Sequence, residues 1–462
     1  MSDLLSQFQT AFGADVASDA PDRFLEELRG RFKSPKRVLL RPRDTKGVAE
    51  IVRYCGENGI GIIPYSGGTG LVGGQIADKG KLLLLSLDRM NKCRAVHANE
   101  MIIEVDAGMI LKDVQDHADR VNRLFPLSLG SEGTAQIGGN LSTNAGGVQV
   151  LRYGNARDLC LGLEAVLPNG EIFHGMKRLR KDNTGYDLRN LLIGAEGSLG
   201  IITGAALKLF PKPHEFGTAM AEVKSPNDAI ELLAKIRDRF GDMVTGFELI
   251  SGQGLTFLAE KLPKVRRPLS PDPAWSVLLE LSGGLDADLK NRLVDFLGLE
   301  MEQGLIPNAV IAENETQRLE FWHVRESIPE ASRAVGAIAS HDISVPIGEI
   351  PNFIETMTPK IEAKGVRVNG FGHLGDGNLH YNIFPPAGKT REDYLPLREE
   401  ITSLIYDEVH KLGGSISAEH GIGRLKVSEL EKFGDPAKLS AMRSIKSALD
   451  PKGIMNPGAV LK

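Results

Sequence analysis

The sequence predicts an α+β fold in two parts, and three observations point there. Residues 37–65 read as strand, helix, strand. They deliver a loop dense in glycine at a strand's carboxyl end: Pro64, Tyr65, Ser66, Gly67, Gly68, Thr69, Gly70, Leu71, Val72, Gly73 and Gly74. After Pro211-Lys212-Pro213 the texture changes, and two strand–helix–strand sets follow one another. Two such units side by side resemble a ferredoxin-like α+β layer.

Composition sets the bounds. With 462 residues the chain is long enough for two or three domains and a large core. Its 60 acidic and 55 basic side chains nearly balance, and no basic block interleaved with aromatics points to nucleic acid. Cys55, Cys93 and Cys160 lie far apart and fit neither a zinc finger nor a disulfide framework, which suits a reducing compartment. The opening residues lack a basic start and a long apolar run, so no signal peptide is expected. No apolar run reaches the ~18 residues that a membrane span needs.

Residues up to about 32 read as a short helical lead-in. Residues 37–41 read as a strand. Asp44 or Thr45 caps a helix running to Asn58, with Val48, Ile51, Val52 and Cys55 on one face. The strand 59–65 then enters the glycine loop. Glycines let backbone N–H groups approach an anion with no Cβ in the way, which suits a phosphate or pyrophosphate. Residues 68–73 also match G-x-G-x-x-G, and Asp88 stands where a Rossmann fingerprint wants its acid. That fingerprint must open a crossover helix, however. Here the glycines run on to Gly74 and a strand is already due at 81–87, so the loop joins two strands.

Strand 101–105 and helix 111–121 lead into residues 125–147. This second glycine-rich run is polar but nearly uncharged, a lining able to hydrogen-bond a neutral heterocycle. Pro168-Asn169-Gly170 marks a hairpin. A helix at 187–193 precedes the third glycine cluster, 194–200, and the strand 201–210. Beyond the boundary, the first strand–helix–strand set is 218–223, 227–240 and 245–250. The second is 275–281, 287–303 and 309–312. The link 251–274, with its prolines and basic residues, is expected to be a surface excursion. A helix at 316–334, strand 337–346, helix 351–363 and a hairpin of strands 366–373 and 379–384 follow. A long helix over 391–412 and two short ones complete the chain.

His373 and His380 sit at the two mouths of that hairpin, close enough to converge on one ion. His380 and Asn382 share a strand face, while Leu379, Tyr381 and Ile383 take the other. A catalytic divalent metal needs a third ligand, commonly a carboxylate, and an open position. Arg325 admits two readings, a solvated helix charge beside Glu326 or a bidentate clamp on a carboxylate.

The loop at 64–74, the run at 125–147, the cluster at 194–200, residues 372–380, residues 419–423 and Asn456-Pro457-Gly458 together resemble the flavin-linked D-2-hydroxyacid dehydrogenases. These belong to the vanillyl-alcohol-oxidase superfamily and include D-2-hydroxyglutarate dehydrogenase, D-lactate dehydrogenase and the glycolate oxidase catalytic subunit. The likeness runs from Arg37 onward. It implies a lead-in at 1–36, a PCMH-type FAD-binding domain at 37–213, a substrate cap at 214–415, and a segment at 416–462 that returns to the FAD site.

The resemblance also assigns residues. Pro64, Ser66, Gly67, Gly68, Thr69, Gly70, Leu71 and Gly74 would hold the FAD pyrophosphate. Ser131, Thr134, Gly138, Ser142, Asn144, Glu196, Gly200, Ile202 and Asn456 would line the rest of the cofactor. Leu71 stands where members with covalent FAD often carry a histidine, so non-covalent FAD is expected. His373, His380 and Glu419 match the ligands of a divalent metal, zinc or manganese. His420 matches the general base, and Arg325 and Asn382 match substrate contacts.

The implied reaction oxidises a D-2-hydroxyacid, D-2-hydroxyglutarate-like or D-lactate, to the 2-oxoacid. Electrons would leave for an external acceptor such as electron-transfer flavoprotein, a quinone or a cytochrome. The alternative is a flavoprotein subunit of a glycolate-oxidase-like complex. A homodimer and a cytoplasmic location, with or without peripheral attachment to a membrane, complete the expectation. Pro329 and Ser340 depart from the hydroxyglutarate-type pattern, which has threonine and lysine at the matching places.

Overall fold

The structure is a computed structural model describing residues 2–28, 30 and 32–462. It divides into two compact units. The first comprises residues up to 147, 153–212 and 419–462, and the second comprises 148–152 and 213–418.

In the first unit, helix Thr45–Asn58 begins at Asp44, whose side chain accepts the Gly47 N–H at 2.8 Å. Its buried stripe is Val48, Ile51, Val52 and Cys55, the face that the apolar spacing predicts. Strand Gly61–Tyr65 runs parallel to Leu82–Ser86. No helix intervenes between them, so the glycine loop joins strand to strand. Asp88 is engaged in a two-pronged pair with Arg41 at 2.9 and 2.7 Å, which accounts for it without a ribose. The lead-in differs from expectation. After helix Ser2–Phe12, residues Ala17–Asp19 form a strand antiparallel to Val38–Leu40, giving a four-stranded sheet its edge. Phe8, 0 % exposed, anchors that helix to the core.

A second, antiparallel sheet of the unit contains the strands Cys93–His97, Ile102–Asp106, Ile201–Lys208, Cys160–Val166 and Ile172–Gly175 in that spatial order. Its last two strands are the hairpin that Pro168-Asn169-Gly170 announces. The run 125–147 is ordered around the short helix Ile137–Thr143, which Asn144 ends in the left-handed conformation. The C-terminal stretch rejoins the first sheet. Ile62 N–H donates to the Ile454 carbonyl and Asn456 N–H to the Ile62 carbonyl, each at 2.8 Å.

The second unit is built on a seven-stranded antiparallel sheet. Its order is Ala309–Ile311, Glu215–Val223, Trp275–Gly283, Val244–Ser251, Arg367–His373, Asn378–Phe384 and Ala339–Ser344. The first four follow the 4-1-3-2 order of a ferredoxin-like layer, with helices Pro226–Phe240 and Leu289–Glu302 as the connections.

The segment 251–274 corrects the sequence reading. Its first half is the helix Gly252–Lys261, which buries Leu255, Phe257 and Leu258 against Phe321, Val324 and Ile328 of helix Glu315–Val335. The prolines and basic residues that suggested a surface path lie after this helix. Residues 391–412 also divide into a 3-10 turn, Glu392–Leu397, and a helix, Arg398–Lys411. Pro396, whose ring denies a helical hydrogen bond, stands at the change.

Candidate functional site

The glycine loop of the first unit is held open by its surroundings. The amide N–H groups of Gly67, Gly68, Thr69, Gly70, Leu71 and Val72 have no acceptor among the described residues. A row of unpaired amides at a strand's carboxyl end is an anion-binding concavity. The loop cannot spare its glycines. A Cβ on Gly67 would stand 2.2 Å from the Thr134 carbonyl oxygen, and Gly68 has a φ of +72°. The Ser66 hydroxyl fixes the loop to the polar run, accepting from Gly139 N–H at 3.1 Å and donating to the Gln136 side chain at 3.2 Å. These features fit the diphosphate of a dinucleotide.

The far side of the loop is tied by side chains from distant sequence. Arg424 donates to the Gly73 and Gly74 carbonyls at 3.0 and 2.8 Å, and to the Asn456 side chain and Pro457 carbonyl at 2.8 and 2.9 Å. Asn456 in turn donates to the Gly74 and Glu196 carbonyls at 3.0 and 2.8 Å. The Glu196 carboxylate accepts the Ile422 and Gly423 N–H groups, both at 2.7 Å. Burial raises the Glu196 pKa, and these two N–H groups pull only part of it back. Burial likewise lowers the Arg424 pKa, to about 10, because most of its partners are neutral oxygens.

The structure therefore gathers Pro64, Ser66, Gly67, Gly74, Glu196 and Asn456 by direct contacts, since Pro64 also packs on Gly197. Gly138 is closed against Ala107, its N–H donating to that carbonyl at 2.6 Å. Ser131 and Ser142 lend their backbone carbonyls to Thr134 and Glu196. Asn144 ends its helix and its Oδ1 accepts from Arg157 N–H, while the Ile202 side chain lies in the core. A Cβ added at Gly200 would stand 2.9 Å from the Val166 carbonyl oxygen. Glu419 belongs to this unit and accepts Gly147 N–H at 2.8 Å; His420 follows it.

The second unit carries a cluster of charged side chains. His373 and His380 face one another across the hairpin with ring centroids 5.7 Å apart. Glu248 stands opposite His373 in the cross-strand register and is 1 % exposed. Its Oε1 meets His373 Nδ1 at 2.6 Å, and its Oε2 accepts from Arg325 Nε at 2.6 Å. Burial alone would raise the Glu248 pKa, but the positive charges of His373 and Arg325 and their hydrogen bonds bring it down to about 2. Arg325, 5 % exposed, lies over the Phe371 ring at 4.9 Å. Its two terminal nitrogens have no hydrogen-bond partner among the described residues.

Arg325 is therefore no solvated helix charge. Pro329, four residues on, has no N–H for the Arg325 carbonyl. Behind His380, Asp342 Oδ1 lies 3.7 Å from Nδ1 and accepts from the Asn378 side chain at 2.9 Å. Asn382 accepts the His341 N–H at 3.1 Å and stands opposite Ser340.

Two participants escaped the sequence reading. Glu248 is a lone acid inside an apolar strand, Val244–Ser251, every residue of which is buried. That isolation is its signal. Arg424 closes the run Glu419-His420-Gly421-Ile422-Gly423, and a charge directly after a glycine run is the clue to it.

Comparison with known proteins finds two family models, the second of which begins at residue 212 and runs on through residues 419–460 of the first unit. The family described as "FAD binding domain" matches residues 36–175, and "FAD linked oxidases, C-terminal domain" matches residues 212–460. A mitochondrial D-2-hydroxyglutarate dehydrogenase of Arabidopsis thaliana is 36 % identical over 93 % of this chain and 76 % of its own length. A D-2-hydroxyglutarate–pyruvate transhydrogenase of Saccharomyces cerevisiae is 31 % identical over 99 % of this chain and 94 % of its own. The solved structure of p-cresol methylhydroxylase shares the fold, with a TM-score of 0.78 at 17 % identity, covering 99 % of this chain and 96 % of that one. No helix among the described residues is long and apolar enough to cross a membrane. The chain belongs to the FAD-linked oxidase family and is an FAD-dependent oxidoreductase.

Proposed function

We propose that this protein dehydrogenates a D-2-hydroxyacid to its 2-oxoacid and passes the electrons to an external acceptor. The relatives' names favour D-2-hydroxyglutarate as the substrate, with D-lactate the nearest competitor at the same chemistry. The observation that carries the reading is the cluster of the second unit. A buried guanidinium with two unused nitrogens lies beside a pair of facing imidazoles, on a chain whose other unit holds an amide-lined cradle.

The unpaired amides of residues 67–72 and the glycines around them would hold FAD, which when bound supplies the hydride acceptor at flavin N5. His373 and His380 would hold a divalent metal, with Glu419 as third ligand on the strength of the family resemblance. Such an ion supplies Lewis acidity at the substrate hydroxyl. Arg325 grips the substrate carboxylate with its terminal nitrogens, and Asn382 orients it. His420 takes the hydroxyl proton as the α-hydrogen leaves with its electron pair. Pro329 and Ser340, in place of the threonine and lysine of the hydroxyglutarate type, leave Arg325 as the main anchor for a carboxylate in the second unit. The cytoplasmic location expected from sequence stands beside a relative named as mitochondrial, and cell fractionation separates the two.

An anaerobic absorbance experiment tests the proposal. D-2-hydroxyglutarate, D-lactate and D-malate are added separately, with L-isomers as controls. Bleaching of the flavin band by one D-acid is the expected result, and no bleaching by any of them would sink the assignment. His420→Ala should slow flavin reduction by roughly 10²–10⁴-fold with FAD still bound.

A further inference from the structure

Helix Glu315–Val335 presents Arg318, Trp322 and Arg325 along one face, at i, i+4 and i+7. Each arginine meets a buried glutamate on a neighbouring strand of the sheet. Arg318 meets Glu280 at 2.8 and 3.2 Å, and Arg325 meets Glu248 at 2.6 Å. The two pairs differ in what else the carboxylate does. Glu280 also accepts from the Thr218 hydroxyl at 2.9 Å and the Trp322 indole N–H at 2.7 Å, so it is saturated by packing groups. Glu248 gives one oxygen to the guanidinium and the other to the His373 imidazole.

That division has chemical consequences. A carboxylate accepting from Nδ1–H orients the ring, and where a cation takes the place of the Nε2 proton it holds the imidazole in the Nδ1–H form whose Nε2 ligates a metal. The same carboxylate balances the Arg325 charge, which would otherwise disfavour a cation close by. We infer that Glu248 is a positioning residue that serves the metal ligand and the substrate clamp together, letting a guanidinium and a divalent cation share one site. The inference rests on the reading of His373 as a metal ligand under Proposed function.

The test uses the full-length, FAD-loaded protein, stripped of metal with a chelator and titrated with zinc ion against a chromophoric competitor. Five proteins are compared: the parent, His373→Ala, Glu248→Gln, Glu248→Asp and Glu280→Gln. The parent should bind one zinc, and His373→Ala should lose it. Glu248→Gln should bind zinc about 10–100-fold more weakly, with FAD content unchanged and KM for the hydroxyacid raised. Glu248→Asp keeps the charge but is too short to hold both partners, so it should fail in the same direction. Glu280→Gln should lower the melting temperature while leaving zinc affinity at the parent value.

Equal zinc affinity in the parent and Glu248→Gln would overturn the inference while leaving the metal reading intact. Equal affinity, or none, in the parent and His373→Ala would overturn the metal reading and this inference with it. If both Glu248 variants fail to fold, Glu248 is a structural residue like Glu280 and the assignment is overturned.

Discussion

On the proposed reading, the two units would recognise their ligands in opposite ways. The cradle of the first unit is made of backbone. Its candidate donors are the amides of Gly67 to Val72, and side chains enter as ties that hold the backbone in place, as Arg424 and Asn456 do. The cluster of the second unit is made of side chains on a rigid sheet, with Glu248, His373 and His380 on adjoining strands and Arg325 on a helix packed over them. A backbone site demands that side chains be absent, and it therefore writes itself into the sequence as glycine. A side-chain site demands only that certain atoms meet, and it writes itself as scattered residues at long spacing.

The contrast fails first if the cradle tolerates a Cβ. Gly67→Ala would force the loop away from the Thr134 carbonyl and spoil the aim of several amides at once. A loss of about 2–3 kcal/mol in FAD affinity, on the order of a hundredfold, is expected. Equilibrium dialysis of the cofactor measures it, and an unchanged affinity would mean that the amides are not the binding groups.

A smaller effect is expected from the ties. Arg424→Met removes hydrogen bonds from a charged donor, each worth about 1.5–3 kcal/mol, but leaves the amides themselves in place. FAD should dissociate roughly tenfold faster, with the loop's mobility absorbing the remainder. Arg424→Lys, with one point donor in place of a planar fork, should fall between. Stopped-flow release of FAD in the presence of a trap reads both variants, and a Met variant with parental release would reduce Arg424 to ordinary packing.

The smallest effect separates a charged cluster that is only structural from one that is functional. In the first unit Glu164 accepts from Thr45, Arg94 and Thr203 at 2.6, 2.9 and 3.0 Å. Burial works against its charge, yet these hydrogen bonds outweigh it and the pKa falls below the usual glutamate value. A depressed folded pKa gives stability that is complete above the unfolded value of about 4.3 and fades as pH drops below it. The gap in melting temperature between the parent and Glu164→Gln should therefore be present at neutral pH and close below about pH 4. A gap that widened with acid would reverse the sign of the argument. Substrate turnover at neutral pH should be the same in both.

Legibility followed the same division. The strand-to-strand glycine loop, the Asp44 cap, the hairpin at 168–170 and the alternation around His380 all rest on local rules of conformation, and they were readable. Glu248 was not, because its partners lie 77 and 125 residues away and no local pattern links them. Helix Gly252–Lys261 was hidden for another reason. It buries only a short stripe, and the prolines just beyond it dominate the composition of the segment. The strand Ala17–Asp19 is three residues long, below what period-two alternation reveals.

The tie between Arg424 and Gly73 spans 351 residues. On a ribosome adding about 5–20 residues per second, that interval is roughly 20–70 s, during which the glycine loop exists without the groups that brace it. Chain closure over such a length carries an entropic toll before any contact repays it. The nascent first half must therefore wait with its amide row exposed to water. On the proposed reading of the loop, cofactor capture would follow the docking of residues 419–462 rather than the folding of the loop alone.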